Sequence, residues 1–233
     1  MEQKLSKKTR TESDLIGSRE VPESPLYGVQ TLRGIENFRI SKFHLNEYPL
    51  FIQALAITKM GAAVANRELD LLTEEQTDAI LKACKEILEG KHHDQFPVDM
   101  IQGGAGTTTN MNANEVIANR ALELMGHARG EYQYCSPNDH VNRSQSTNDA
   151  YPTAIHIGLY YTHLKLVKHF ATLIEAFRKK GAEFAHIIKM GRTQLEDAVP
   201  MTLGQTFNGF TSILEHELKN LDFAAQDFLT VNM

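Results

Sequence analysis

The sequence of 233 residues contains no tryptophan and only two cysteines. Cys84 and Cys135 lie far apart, which favours reduced thiols over a disulfide scaffold. No apolar run approaches the roughly 18–20 residues of a membrane span, and the N-terminus lacks the apolar core of a signal peptide. Basic residues are also too few for a nucleic-acid surface, since 24 basic and 29 acidic side chains leave a net charge of −5. We therefore expect a cytoplasmic globular protein that binds neither membranes nor nucleic acid.

Helical patterns fill most of the chain. A short hairpin or irregular arm is predicted at 13–25, where Gly and Pro interrupt extended pieces. Proline at a first helical turn, a capping box and a glycine stop then mark helix boundaries. These boundary residues are Pro49, Thr73, Gln76 and Gly90. A further short helix is predicted from Asn112 to Gly126.

Two longer helical runs follow. The first extends from Asp149 to about Lys180, and the second begins near Leu203 and continues to Met233 without a stop signal. A short helical piece after Gly181 and a loop over 190–200 are predicted between them. Both long runs carry apolar residues on more than one side, so several neighbouring helices must cover them.

The predicted fold is all-α and has two domains. Residues 1–144 form a small, mainly helical N-terminal domain. Residues 145–233 supply the first long helices of a central helical bundle, which is expected to continue beyond Met233.

A cluster of small polar residues precedes the first long helix, between Asn142 and Pro152. Its members are Ser144, Ser146, Thr147, Asn148 and Asp149. One helix start needs a single capping residue, and the surplus hydroxyls and amides beside a positive helix N-terminus suit a carboxylate or phosphate. The alternative is a polar loop that contains one cap.

A glycine-rich turn at Gly103–Gly106 precedes Thr107. It lacks the lysine of a P-loop, but it permits close backbone approach to a ligand and is followed by hydroxyl donors. His92, His93 and Asp94 resemble part of a metal cluster. No further ligands follow at a suitable spacing, so we interpret them as loop residues and predict no metal site.

Six segments in order resemble motifs of the aspartase/fumarase superfamily, and together they cover the chain from about Asp14 to its end. They are Asp94–Asp99, Gln102–Thr107, Asn110–Glu115, Pro137–Asn142, Ser144–Asp149 and Met190–Gln205. Within this superfamily, Gly130–Tyr134 and Gln194 favour the ammonia-lyase branch. Many other members carry histidine at the position of Gln194.

The resemblance implies reversible deamination of L-aspartate to fumarate and ammonia. By the same resemblance, the hydroxyl donors to the substrate carboxylates are Thr107, Ser146, Thr147 and Thr193. Asn148 matches the position near the substrate amino group, and Gln194, which cannot titrate, positions substrate or water. No cofactor is required, although activation by a divalent cation fits the family.

The resemblance also implies what lies outside these residues. The superfamily's mobile loop, with its general-base serine, is expected after Met233, so no catalytic base is assigned here and neither Ser144 nor Ser146 is given that role. Homotetramers with active sites shared between subunits are expected. A secondary anion site is expected at Asn138, Asp139 and His140, with a plain surface histidine as the alternative.

Two other functions stay open at this point. A class II fumarase would add water instead of ammonia, and Gln194 and Ser136 argue against it. A non-catalytic helical scaffold of the same fold is the second alternative, although the substrate-donor positions are intact.

Arg192 is a candidate carboxylate clamp, but a structural ion pair is the preferred interpretation.

Overall fold

The computed structural model describes residues 8–233. Within them, helices dominate and two small β-hairpins are the only sheets, which confirms the predicted all-α class. The elements in chain order are β1 (Thr9–Asp14), β2 (Gly17–Pro22), α1 (Val29–Asn37), α2 (Pro49–Glu68), α3 (Glu74–Leu88), α4 (Thr107–Leu124), α5 (Thr147–Glu183), β3 (Ile188–Thr193), β4 (Glu196–Thr202) and α6 (Leu203–Ala225).

The predicted N-terminal arm is a regular hairpin. Strands β1 and β2 pair antiparallel from Thr9–Pro22 to Asp14–Gly17, so pairing begins four residues earlier in the chain than the range predicted from sequence. Arg10 fastens the hairpin to the segment that enters α1, because its guanidinium donates to the carbonyl oxygens of Pro22 and Tyr27 at 2.9 and 2.7 Å.

Helices α2, α3 and α4 form the core of the N-terminal region. Pro49 lies in the first turn of α2, and the predicted capping box of Thr73 and Gln76 closes the start of α3. Helix α4 begins at Thr107, earlier than the predicted Asn112, because Gly106 adopts a left-handed conformation that ends the glycine-rich turn. The core side chains are mainly aliphatic and include Ile52, Leu55, Ile80, Ile87, Ile117 and Leu122.

The chain divides into two compact units by its contacts. Among the described residues, the first unit contains 8–158 and 231–233, and the second contains 159–230. This division lies inside α5, whereas the sequence predicts a domain boundary between 144 and 145. The first turns of α5 stay with the first unit because Ala150 and Ala154 are fully buried and Gly158 packs on Phe51 of α2.

The second unit corrects three sequence-based predictions. The predicted loop at 190–200 is part of the hairpin β3–β4, in which Ile188 pairs with Thr202 and Thr193 with Glu196. Gln194 and Leu195 both adopt left-handed conformations and close a two-residue turn. Such turns usually carry Asn-Gly, so the sequence lacks the usual hairpin signal. No separate helical piece follows Gly181, because α5 itself continues to Glu183.

The third correction concerns the end of α6. A capping box of Thr202 and Gln205 opens this helix, and it ends at Ala225 instead of continuing to Met233. A short 3-10 turn, Gln226–Leu229, follows and tightens the backbone. Among residues 8–233, no helix is both long enough and apolar enough to cross a membrane.

Candidate active site

Two helix N-termini of the first unit meet at one place. Gly106 is the N-cap of α4, and a Cβ atom added to it would lie 2.3 Å from the ring of Tyr151 in the first turns of α5. With its φ of +86°, glycine is therefore required here for two independent reasons. The close approach places the N-terminal turns of α4 and α5 beside each other, and each helix N-terminus carries positive partial charge that favours an anion.

A cavity of about 570 Å³ lies where these helix starts meet. The glycine-rich turn lines one side of it with Gln102, Gly104 and Gly106. The first turns of α5 line the other side with Asn148, Tyr151 and Ile155.

The glycine-rich turn is held by Asp99. Its carboxylate accepts hydrogen bonds from the backbone N–H groups of Ile40, Ser41 and Ile101 at 2.7–2.9 Å, and from the Ser41 hydroxyl at 2.7 Å. Although burial opposes ionisation, these four donors hold the pKa of Asp99 below its usual range. Asp99 thus remains an anion that ties the segment before the turn to residues 40–41.

The side chain of Gln102 supplies hydrogen-bond partners to the first turn of α4. Its side-chain oxygen accepts from the Thr109 backbone N–H at 2.8 Å, and its amide nitrogen donates to the Thr109 hydroxyl at 2.6 Å. Gln102 thus serves as a side-chain cap, while Thr107, the first residue of α4, keeps an exposed side chain. The Thr107 hydroxyl is therefore free to contact a ligand at this helix start.

The start of α5 presents three of the predicted donors side by side. The Ser146 hydroxyl accepts from the Asn148 backbone N–H at 3.2 Å, which provides the cap that the helix needs. Ser146 and Asn148 are exposed, and Thr147 is half-buried. The hydroxyl of Thr147 accepts a hydrogen bond from the Asn110 side-chain amide of α4 at 3.1 Å.

A buried lysine, which is not among the site residues predicted from the sequence, contacts the same network. Lys59 of α2 is fully buried, and its Nζ donates to the side-chain oxygens of Asn110, Asn142 and Gln145 at 2.7, 2.9 and 2.9 Å. Burial lowers the pKa of Lys59 to about 7. The signal was present in the sequence, because Lys59 continues the buried stripe of Ile52, Leu55, Ala56 and Ala63 at helical spacing.

Comparison with known protein families matches residues 17–232 to the family described as Lyase. The chain belongs to this lyase family. Aspartate ammonia-lyase of Pseudomonas fluorescens is 57% identical over 221 residues, covering 95% of this chain and 46% of that protein. The Escherichia coli K12 aspartate ammonia-lyase is 54% identical over 230 residues, covering 98% and 48%. This lyase chain therefore spans about half the length of these relatives.

Solved structures are similar to most of this chain. A fumarate lyase:delta crystallin from Brucella melitensis in native form superposes with a TM-score of 0.94 at 50% identity, covering 97% of this lyase chain and 53% of that one. A class II fumarase from Schistosoma mansoni has a TM-score of 0.87 at 35% identity, covering 96% and 47%. The resemblance inferred from the six sequence motifs is thereby confirmed.

The remaining predicted donors of this lyase chain belong to the second unit. Thr193 and Gln194 are exposed at the tip of the β3–β4 hairpin. Arg192 and Asp197 pair across the same hairpin at 3.4 Å, which agrees with the ion-pair interpretation of Arg192. The first unit thus brings together Thr107, Ser146, Thr147 and Asn148, and Thr193 and Gln194 lie on a different unit.

The segment predicted as a secondary anion site forms a π-helical turn, Pro137–Val141. His140 accepts a hydrogen bond at Nδ1 from the Ser136 backbone N–H at 2.7 Å, and burial lowers the pKa of this histidine. Asn138 and Asp139 are exposed and line a cavity of about 970 Å³. A neutral His140 offers an N–H donor but no positive charge to an anion at neutral pH.

The histidines after α3 are engaged locally. His92 Nε2 lies 2.8 Å from a Glu86 carboxylate oxygen, and His93 Nε2 lies 2.8 Å from the Ile87 carbonyl oxygen. In the part of the chain that the structure describes, no group of three His, Cys, Asp or Glu side chains is placed to hold a metal ion. Both histidines therefore secure the turn that follows α3.

Proposed function

We propose that residues 1–233 form half of a carbon–nitrogen lyase that converts L-aspartate reversibly to fumarate and ammonia. The aspartate ammonia-lyases at 54–57% identity support this substrate. The observation that carries the proposal is the meeting of the N-terminal turns of α4 and α5 at one cavity of the first unit. The amide side chains of Gln102 and Asn148 line this cavity, and the hydroxyls of Thr107, Ser146 and Thr147 lie at the same two helix starts.

The chemistry of this elimination explains the type of site. A weakly acidic C–H beside a carboxylate must lose its proton, and the resulting aci-carboxylate carries two negative charges. Preorganised donors that face such a charge lower the barrier, because they need no reorganisation during the reaction. Thr107, Ser146 and Thr147 supply hydroxyl donors, and the ends of α4 and α5 supply positive partial charge.

The remaining donors complete the ligand set in our proposal. Asn148 contacts the amino group that leaves as ammonia, and Thr193 binds a substrate carboxylate. Gln194 positions substrate or water, since an amide cannot exchange protons with the substrate. Asn138, Asp139 and His140 form a secondary anion site near the entrance.

The base and the second charged group come from outside residues 1–233. We propose a serine base and a lysine from a mobile loop in the other half of the lyase. The assembly is a cytoplasmic homotetramer whose subunits share each site. No organic cofactor is needed, and a divalent cation acts as an activator.

The direct test uses the whole lyase, meaning a chain of its relatives' length that contains residues 1–233. The purified protein is given L-aspartate, or L-malate in a parallel assay, and fumarate is followed by its ultraviolet absorbance. We expect fumarate and equimolar ammonia from aspartate and none from malate. Fumarate from malate alone would establish the hydratase instead, to which the 35% identical fumarase of Schistosoma mansoni points.

A further inference from the structure

The side-chain amides around Lys59 have only one consistent orientation. Gln145 Nε2 donates to the Val141 carbonyl oxygen at 2.9 Å, and Asn142 Nδ2 donates to the Gln145 carbonyl oxygen at 3.0 Å. A main-chain carbonyl can only accept, so both amide nitrogens must point to these carbonyls. The two amide oxygens therefore face the Lys59 Nζ, as their distances of 2.9 Å require.

The same reasoning determines Asn110. In its protonated form Lys59 only donates, so its Nζ must then face the Asn110 side-chain oxygen, which lies 2.7 Å away. The Asn110 amide nitrogen then points to the Asn142 side-chain oxygen and to Thr147 Oγ1, each at 3.1 Å. Thr147 Oγ1 is consequently an acceptor within the protein, and its own hydrogen remains available. With a reversed amide, the Asn110 oxygen would accept that hydrogen.

Lys59 also lacks the partner that a buried ammonium normally has. In the described part of the chain, its three side-chain hydrogen bonds all go to neutral amide oxygens and none goes to a carboxylate. Burying an unpaired charge is costly, so this arrangement opposes stability.

We propose that Lys59 is a positioning residue for the carboxylate site. It orients the Asn110 amide so that Asn110 donates to Thr147, and the Thr147 hydroxyl hydrogen is left for a substrate carboxylate. Lys59 touches no substrate and acts only through this relay. The inference rests on the proposed function in one respect, which is that the ligand of the Thr147 hydroxyl is a carboxylate.

The first test is Asn110→Asp in the whole lyase. Aspartate keeps the oxygen that contacts Lys59, but its second oxygen accepts the Thr147 hydroxyl hydrogen and turns this donor away from the ligand. We expect kcat/KM to fall about 100-fold, as for loss of an oxyanion donor, and the affinity for succinate to fall about 10-fold. Succinate binding is measured by calorimetry, and folding by circular dichroism.

The matched control is Asn119→Asp. Asn119 is also a buried residue of α4, but its side chain contacts Leu26, Gly130 and Tyr132 instead of the relay. The Asn119→Asp substitution also introduces a buried carboxylate into α4, but away from the relay. The kcat/KM of this variant per folded molecule should therefore equal that of the wild type. Equal losses in both variants would assign the effect to the fold and overturn the proposal.

The second test is Lys59→Met, alone and combined with Thr147→Val. Alone, it should lower succinate affinity about 10-fold, because a freed Asn110 amide no longer orients the hydroxyl. With Thr147→Val present, the further loss should stay below about 2-fold, since both changes act on one group. Additive losses would show a structural role and overturn the relay. Should Lys59→Met not fold, the Asn110→Asp comparison decides.

The outcomes separate this inference from the proposed function. A wild-type lyase that deaminates aspartate, with Asn110→Asp equal to it in activity and succinate affinity, overturns the relay alone. A wild type that binds succinate through Asn110 but does not deaminate aspartate supports the relay and rejects the proposed function. A wild type that neither binds succinate nor acts on aspartate rejects both.

Discussion

Thr147 shows why a single hydroxyl can be removed without loss of the fold. The cap of α5 is Ser146, whose hydroxyl accepts from the Asn148 backbone N–H, so the helix start does not depend on Thr147. Its neighbour Asn110 keeps a second acceptor in Asn142. The Thr147 hydroxyl is therefore expected to contribute to ligand binding and not to the stability of the helix start.

We accordingly predict that Thr147→Val lowers the activity of the whole lyase strongly and leaves its structure nearly intact. Loss of one preorganised donor raises the barrier by roughly 3–4 kcal/mol. Steady-state kinetics with aspartate and a thermal melt of the same sample check both parts. Undiminished deamination by this variant would remove Thr147 from the site.

Lys59 makes stability depend on pH in a defined direction. Burial lowers its pKa from 10.5 to about 7, so above neutral pH the unfolded chain binds a proton that the folded chain has released. The free energy of unfolding therefore rises with pH from about 7, by at most about 1.4 kcal/mol per pH unit. Burial raises the pKa of Cys84 to about 12, and this opposes the trend only where unfolded thiols ionise, above about pH 8.5.

The measurement is urea unfolding of the wild type and of Lys59→Met between pH 7 and 8.5. We expect the wild type to gain stability across this interval relative to the variant, because the variant has no group to deprotonate. Lys82→Met, which changes an exposed lysine of α3, serves as the control and should follow the wild type. Parallel pH profiles for all three proteins would contradict the low pKa of Lys59.

At the scale of elements, close helix contacts depend on glycine. The start of α6 packs on the end of α5, and a Cβ atom on Gly204 would lie 2.5 Å from the Gly181 carbonyl oxygen and 2.7 Å from Ala185 Cα. These are backbone atoms, which cannot move aside as a flexible side chain can. Gly209 of the same helix has open space at its Cβ position.

We predict opposite effects of alanine at these two glycines. Gly204→Ala should destabilise residues 1–233 by about 1–3 kcal/mol through overpacking. Gly209→Ala should stabilise them by about 0.5–1 kcal/mol, because alanine has the higher helix propensity. Urea unfolding followed by circular dichroism compares the two. A stabilising Gly204→Ala would mean that the two helices do not approach this closely.

Helix α1 is positioned by a carboxylate from another element. It has no side-chain cap of its own, and the buried Glu115 of α4 accepts from the backbone N–H groups of Gly28, Gln30 and Thr31 at 2.8–3.0 Å. Burial raises the pKa of Glu115 to about 7 although these donors favour its ionised form. Local sequence around α1 contains no sign of this long-range cap.

At the scale of the whole molecule, the second unit exposes large apolar side chains along both of its helices. Leu164 of α5 is 42% exposed, and Ile213 and Phe223 of α6 are 61% and 82% exposed. Exposed apolar side chains in such number favour association. This agrees with long helices that carry more apolar faces than two helices can bury against each other.

We therefore predict that isolated residues 1–233 associate with themselves and do not release ammonia from aspartate. Light scattering after size-exclusion chromatography measures the association, and a coupled ammonia assay measures the activity. Ile213→Glu should reduce the association, whereas Asn220→Glu adds the same charge at an exposed polar position of α6 and should not. A monomeric, active preparation would contradict both halves of this prediction.

The shared-site proposal gives a prediction for the assembled lyase. Helix α5 has 37 residues and is therefore about 55 Å long, with Ser146 just before its start and Thr193 beyond its end. Inactive Ser146→Ala and Thr193→Val tetramers, dissociated and reassembled together, should regain part of the activity, because some sites receive only intact segments. Verified hybrid tetramers without recovered activity would show that one chain supplies both residues.

Elements whose signals are local could be predicted from the residues alone. Pro49, the capping box at Thr73 and the apolar spacing of α5 each depend on residues within a few turns, so these helices were predictable. The motif order identified the family, and the cluster Ser146–Asn148 was recognised because it contains more capping groups than one helix uses.

Features that depend on residues distant in the chain could not be predicted in this way and became known from the fold. The turn of the β3–β4 hairpin consists of Gln194 and Leu195, and neither is an amino acid that usually adopts the left-handed conformation seen here. The contact of Gly106 with Tyr151 and the network of Lys59 join segments separated by about 45 to 86 residues. Residue spacing along the chain predicts one helix or strand at a time. Hydrogen bonds and close packing join different elements, so these contacts depend on the three-dimensional arrangement and could not be predicted from spacing.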